Sequence, residues 1–329
     1  MAKTVCIIGG GVVGCMTALT LVKRGLTVTV VERGDIAKQS KGSSSWAGAG
    51  VLFPLLPWHY EDALNTQVLA GAHRYATLSA ELLAETSIDI EYMISGMAIL
   101  DVLDEKATRW CEQNYVQFIQ KNSQLLLPKV AQIRPSRLMQ ALRAYLIKLG
   151  VTIIENTTLR PTDKDFSDLT SNQGQVFTAD YYVIAGGAWS ADLSANIAIK
   201  PIRGQMLRYA NSAHVLENII YKNGVYIVPR YDGQLLIGST VEDVGFDTST
   251  TIAALNTLQS AAEAIIPALK NQPVAQHWSG LRPYLMSKDC LPLVAQHPTL
   301  EHVFINTGHF RYGLTMAPVS AQILSHLIT

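Results

Sequence analysis

Three glycines and one acid near the start of the chain have the types and spacing to hold a phosphate-bearing ligand. In IIGGGVVG, Gly9, Gly11 and Gly14 form Gly-x-Gly-x-x-Gly, and Glu32 closes a later apolar run. A glycine at 9 permits a tight turn, one at 11 lets the backbone approach a pyrophosphate, and one at 14 allows close packing of helix on strand. Val12 and Val13 then open the helix, whose N-terminus favours phosphate. An acid at 32 can accept both hydroxyls of an adenosine ribose, and its charge disfavours a 2′-phosphate.

For that chemistry the residues must sit on a strand, a turn, a helix and a second strand, in that order. The β-branched run at 5–8 suits a buried parallel strand, and Met16, Leu19, Leu21 and Val22 give the helix an apolar side. Gly25 stands where a C-terminal cap is expected, and 28–31 supply the second strand. The expected fold class is therefore α/β, with a Rossmann-like βαβ unit that binds a dinucleotide. The fingerprint alone does not choose between NAD and FAD.

The chain's 329 residues allow about two domains. Charged residues are only 16% and hydrophobic ones 48%, against roughly 25% charged in an average globular protein, so much of the chain should be buried. The formal net charge is zero and no basic run is interleaved with aromatics, which argues against nucleic acid as a partner. No window of 18 uninterrupted apolar residues exists, and the first strand starts within four residues, so neither a membrane span nor a signal peptide is expected. Four cysteines without CxxC spacing fit a reducing cytoplasm, and the eight histidines form no metal-ligand pattern.

Further along, 40–50 (SKGSSSWAGAG) reads as a donor-rich loop that could cradle part of a large cofactor, or as a plain linker. The apolar stretch 51–58, broken by Pro54 and Pro57, is expected to pack as a core loop in preference to forming a subunit patch. Helical spacing covers 61–85, 104–121 with Asp104 as cap, and 136–149, the last followed by a strand at 151–155. Strands broken at Gly96 are expected over 88–103, and another ends in Gly186 and Gly187. From 201 to 285 the pattern is mostly β, with Asp232-Gly233 as a hairpin turn and one helix near 251–266. A strand at 302–306, the turn TGHFRYG and a short helix at 318–328 close the chain.

Taken in order, IIGGGVVG, SSSWAGAGVLFPLLPWHY, VIAGGAWS, IRGQM, VYIVPRYDGQLLIGST, WSGLRP and TGHFRYGLTMAP resemble the glycine oxidase (ThiO-like) branch of the D-amino acid oxidase family of flavoenzymes. The resemblance spans nearly the whole chain, and it selects FAD over NAD. It implies a glutathione-reductase-type flavin domain over 1–80, 134–200 and 286–329, and a β-sheet-rich substrate domain over 81–133 and 201–285. Carried over by position, Gly9, Gly11, Val12, Val13 and Gly14 would hold the pyrophosphate, with Glu32 and Arg33 at the adenosine end. Ser44, Ser45 and Gly48 would lie along the cofactor, Gly50 and Val51 beside the flavin ring, and Gly187 and Trp189 near its tail. Gly308, His309, Phe310, Arg311, Tyr312, Gly313 and Leu314 would approach the ring from the other side. Arg282 and Tyr226 match the family's carboxylate-binding pair, and Arg311 a second arginine near the pocket.

The implied reaction is oxidation of glycine, sarcosine or a short D-amino acid by FAD and molecular oxygen, giving oxo acid, ammonia and hydrogen peroxide, with a family role in thiazole (thiamine) biosynthesis. A dehydrogenase with a non-oxygen acceptor and a nonenzymatic flavin-binding redox protein are the rival readings. Relatives often form homo-oligomers. Three departures stand out: Tyr312 where the family often has Asn, Gly224 where some members have His, and an end soon after the last helix at Thr329. Cys290 lacks the surroundings of the cysteine that attaches flavin in sarcosine oxidases, so the resemblance implies noncovalent FAD.

Overall fold

The computed structural model describes residues 2–102, 105–210, 216–287 and 291–328. Its first layer is a six-stranded sheet in the spatial order Leu293–Gln296, Val303–Thr307, Tyr181–Ile184, Thr4–Ile8, Thr27–Val31, Thr152–Ile154. All neighbours run parallel except the edge strand Leu293–Gln296. Alternation along Thr4–Ile8 sends Val5 and Ile7 to one face and Cys6 and Ile8 to the other, and both faces are covered. Helices α1 (Val12–Lys23), α6 (Pro135–Lys148) and α8 (Gly313–Leu327) bury Leu19, Leu142 and Ala321 against the first face. A small antiparallel sheet, Leu159–Pro161 with Leu169–Ser171 and Val176–Phe177, covers the second.

The second layer is an eight-stranded sheet: Val274–Leu285, Ile199–Tyr209, Leu235–Gly238, Val225–Pro229, Ile219–Lys222, Met97–Ile99, Gln124–Leu127, Ile119–Lys121. Asp232-Gly233 lies in the turn between Val225–Pro229 and Leu235–Gly238, with Gly233 at φ 75°. Helix α7 (Ile252–Ile265), capped by the Thr251 hydroxyl accepting from the Ala254 amide, packs Leu258 and Ala262 on one face of this sheet. The opposite face, carrying Met206 and Val228, looks toward the first layer.

Several elements differ from what the sequence predicts, each for a physical reason. The stretch 61–85 is two helices, α3 (Asp62–His73) and α4 (Tyr75–Thr86), joined at Arg74. They serve different partners: Gly71 of α3 sits so close to α8 that a Cβ there would lie 2.2 Å from the Thr315 carbonyl oxygen, while Leu78 and Leu82 of α4 join the core that also holds α6. The expected helix over 104–121 ends at Gln113 (α5, Glu105–Gln113), and 119–127 form a hairpin turning at Asn122, φ 54°. Asp104, proposed as its cap, lies outside the described residues, as does Cys290. Within 40–50 a short helix, α2 (Ser44–Ala47), replaces part of the expected loop. In 51–58, Leu52, Phe53, Pro54 and Pro57 are buried, and Leu55, Leu56 and Trp58 pack against the core between the layers.

Helix α8 starts at Gly313, five residues ahead of the expected Pro318, which now stands inside it. Proline in a helix leaves the carbonyl four residues back without its donor. That carbonyl belongs to Leu314, and the Tyr75 hydroxyl of α4 donates to it instead.

Candidate active site

A cavity of about 850 Å³ runs between the two layers, from the tips of the parallel strands to the face of the eight-stranded sheet. At the strand tips the turn after Thr4–Ile8 is built as its glycines require. Gly9 has φ 113°, and a Cβ on Gly14 would lie 1.9 Å from the Gly9 carbonyl oxygen, so any side chain at 14 would push α1 off its strand. Glu32 accepts from the Gly10 amide at 2.7 Å and the Gly34 amide at 2.9 Å, one on each oxygen, which fixes the carboxylate while leaving lone pairs for a further donor. Ser45, brought in by α2, accepts from the Val12 amide at 2.9 Å and so keeps its own hydroxyl proton for a ligand oxygen. Beside them the Arg33 guanidinium lies 3.2 Å from the centre of the Trp189 ring; burial lowers its proton affinity against the pull of Glu32 and Asp192.

At the far end Arg282 reaches across its neighbouring strand. Ile202 pairs with Arg282 in the register of Ile199–Tyr209 against Val274–Leu285, and Gly204, two residues on, leaves the space: a Cβ there would meet the guanidinium at 2.1 Å. Arg282 donates to the Ser239 hydroxyl at 2.8 Å and the Thr240 carbonyl at 3.0 Å, and burial lowers its proton affinity. No ion pair among the described residues includes it. Among the described residues the Tyr226 hydroxyl donates to the Met206 sulfur, at 3.3 Å, a weak acceptor that a carboxylate oxygen would displace. Met206 is seated over Gly238, where a Cβ would come within 2.1 Å of the sulfur.

Between the ends, the turn 308–313 approaches from α8. Its His309 is buried with Nε2 unpartnered, and burial drives its pKa down to about 3, so the imidazole is neutral. Arg311 Nε, the Tyr312 hydroxyl and Asn306 Oδ1 are likewise buried without partners among the described residues. Such orphaned polar atoms in a cavity wall are what a bound polar ligand satisfies. Glycines that admit a pyrophosphate, an acid at the ribose position and this unsatisfied wall together fit an extended FAD.

Of the sequence-predicted residues, all line the cavity except Gly14 and Gly308, which shape the backbone behind it; a Cβ on Gly308 would meet Leu285 at 3.0 Å. Sequence reasoning missed Ser239, Thr240, Gly204 and Met206, which set the pose of Arg282 and Tyr226, and it missed Arg230. That buried arginine donates to Gln132 Oε1, the Ile133 carbonyl and the Ala49 carbonyl at 2.6, 2.8 and 2.6 Å, tying the cavity-lining turn to the strand that carries Tyr226. Burial lowers its pKa to about 10, so it stays charged. Arg230 stands within VYIVPRYDGQLLIGST, one of the segments that carry the family resemblance, but its type and spacing there gave it no role of its own.

Comparison with known proteins agrees with this geometry. The family model of FAD dependent oxidoreductases (DAO) matches residues 4–327. A glycine oxidase of Pseudomonas aeruginosa is 34% identical, covering 100% of this chain and 95% of the relative, and one of Pseudomonas putida is 32% identical with the same coverage. The crystal structure of glycine oxidase from Geobacillus kaustophilus superposes with a TM-score of 0.87 at 26% identity, over 99% of this chain and 95% of that one. With its dinucleotide turn, its two-layer cavity and a family match along almost its full length, the chain belongs to the DAO family of FAD-dependent oxidoreductases.

Proposed function

We propose that this protein oxidises glycine or another small amine acid, such as sarcosine or a short D-amino acid, with molecular oxygen as acceptor. For glycine the balance is glycine, water and oxygen giving glyoxylate, ammonia and hydrogen peroxide. The observation that carries the reading is Arg282, a guanidinium without a carboxylate partner among the described residues, beside the Tyr226 phenol, whose hydroxyl donates to a thioether, at the end of a cofactor-sized cavity. FAD, when bound, supplies the two-electron acceptor.

The chain's own residues bind and orient. A planar guanidinium and a phenol grip a carboxylate from two directions and so fix the Cα that bears the reacting C–H bond. The acids among the described cavity-lining residues are Glu32, Asp35 and Asp192, all at the strand-tip end, so no carboxylate among them pairs with an ammonium at the Arg282 end. The two arginines there, Arg282 and Arg311, disfavour one further, and the substrate amine binds in its neutral form. Hence kcat/KM should rise with pH up to the amine's own pKa.

The same proposal divides the chain into an FAD-binding unit of 1–80, 134–200 and 286–329 and a substrate unit of 81–133 and 201–285. Its support is that each large sheet draws its strands from one set, apart from Ile199 and Lys200. Work in the cytoplasm is supported by the free buried thiols of Cys6, Cys15 and Cys111.

Anaerobic mixing of the yellow protein with glycine, sarcosine and D-alanine, followed by air, tests the reading. Bleaching of the flavin absorbance, then recovery with peroxide, is the expected result. Bleaching without recovery would move the protein to the dehydrogenases, and no bleaching with any amine would end the proposal.

A further inference from the structure

We infer that Arg311, with the Tyr312 hydroxyl beside it, forms a second anion subsite next to the Arg282 clamp, so that the preferred substrates are amine acids carrying a second anionic group on nitrogen or on Cβ. This rests on the oxidase reading above and narrows its substrate class.

Two guanidiniums converge at one end of the cavity, close enough that the charge of Arg311 disfavours protonation of Arg282. A single carboxylate is already matched by the free donors of Arg282 and the Tyr226 hydroxyl, because the other donors of Arg282 are held by Ser239 and Thr240. Arg311 is then left over. Among the described residues no hydrogen bond or ion pair reaches its guanidinium, its Nε is buried without a partner, and its remaining contact is the Phe310 ring, 5.0 Å away. The Tyr312 hydroxyl has no well-formed hydrogen bond among the described residues, with the Tyr60 side chain and the Leu55 backbone near it: the residue is 5% exposed, its ring is held edge-on by Tyr60 at 5.9 Å, and it lines the same cavity.

The backbone places this pair deliberately. Phe310 has φ 50°, a left-handed conformation that a bulky residue adopts only when its surroundings impose it. Its amide donates at 2.9 Å to the carbonyl of Pro283, the residue after Arg282, and its ring packs on Tyr284 at 5.2 Å. The segments bearing the two arginines are therefore fastened to each other, and the spacing of the two cations is fixed. A substrate with one carboxylate and a neutral amine leaves one positive charge uncompensated, whereas a dianion neutralises both.

For N-(carboxymethyl)glycine the oxidation balances as substrate, water and oxygen giving glycine, glyoxylate and hydrogen peroxide, with the C–N bond of the intermediate imine broken by water. The holoenzyme provides two readouts: equilibrium titration of the flavin spectrum with acetate and with malonate, which cannot be oxidised, and kcat/KM for sarcosine, N-(carboxymethyl)glycine and D-aspartate. Malonate should bind about tenfold or more tighter than acetate, and N-(carboxymethyl)glycine or D-aspartate should exceed sarcosine by a similar factor. In Arg311→Gln both ratios should fall to about one, and Arg311→Lys should restore part of them. Equal binding of malonate and acetate, or an equal loss for one-anion and two-anion ligands in Arg311→Gln, would overturn the proposal by returning Arg311 to the first carboxylate. Tight malonate binding that depends on Arg311, with no amine bleaching the flavin, would uphold the subsite and sink the oxidase reading instead.

Discussion

Arg282 shows how far single residues can be read. Its candidacy rests on a short motif, GLRP, but its pose depends on Gly204, Ser239 and Thr240, which stand far off in sequence and carry no spacing signal. By contrast, Gly9, Gly11, Gly14 and Glu32 were legible because one strand–turn–helix–strand unit fixes all four locally. Truncating one side of a buried charged hydrogen bond costs about 2–5 kcal/mol, so Arg282→Ala should lose two decades or more in kcat/KM, roughly, while FAD absorbance is retained. Steady-state kinetics with equal flavin content would show this, and near-normal turnover would remove Arg282 from the clamp. His309 gives a prediction for stability. Its pKa is about 3 in the fold and about 6.5 in an unfolded chain. Between these values the unfolded state takes up a proton that the native state excludes, so stability falls as pH drops below about 6.5, by about 1.4 kcal/mol per unit from this group alone. Urea unfolding at pH 7 and pH 5 should find His309→Gln less pH-sensitive than the parent; equal slopes would refute the buried neutral imidazole.

Helix boundaries were the least legible elements, because partners distant in sequence decide them. A reader of 313–328 has reason to begin the helix at Pro318, where proline suits a first turn. The fold accepts proline further in because Tyr75 hands its hydroxyl to the Leu314 carbonyl. Leaving a buried carbonyl unsatisfied costs about 1–3 kcal/mol, so Tyr75→Phe should be destabilised by that amount. Adding Pro318→Ala restores an amide that can donate to Leu314, and the double variant should recover much of the loss. Urea midpoints of the single and double variants decide it; independent, additive effects would mean that the hydroxyl and the proline are unrelated. The split of 61–85 into α3 and α4 has the same origin, since both halves keep helical spacing and only the directions of α8 and α6 separate them.

At the scale of the molecule, the α/β layer was legible from the strand–turn–helix–strand unit, and the β-rich layer from its hairpin signals. The joint between them was not. Arg230 is one tie in that joint, bonding the Ala49 carbonyl on one side and the Ile133 carbonyl and Gln132 on the other from the end of the strand that bears Tyr226. Its charge and donors are fully buried, so Arg230→Leu strands three acceptors at once and should cost about 3 kcal/mol or more. Because the released turn includes Gly50, the variant should also give up FAD on dialysis, and Arg230→Lys should rescue little, since an ammonium lacks the fork. A variant that keeps both its unfolding midpoint and its flavin would show that the layers are held elsewhere. The packing of α8 on α1 has one more consequence, in time. Ribosomes add roughly 5–20 residues per second. The part of α1 that faces α8 is therefore made tens of seconds, on the order of magnitude, before Ala317, Ala321 and Leu324 exist to cover it, and a nascent chain must carry that part uncovered, or shielded by a chaperone, until α8 has been made.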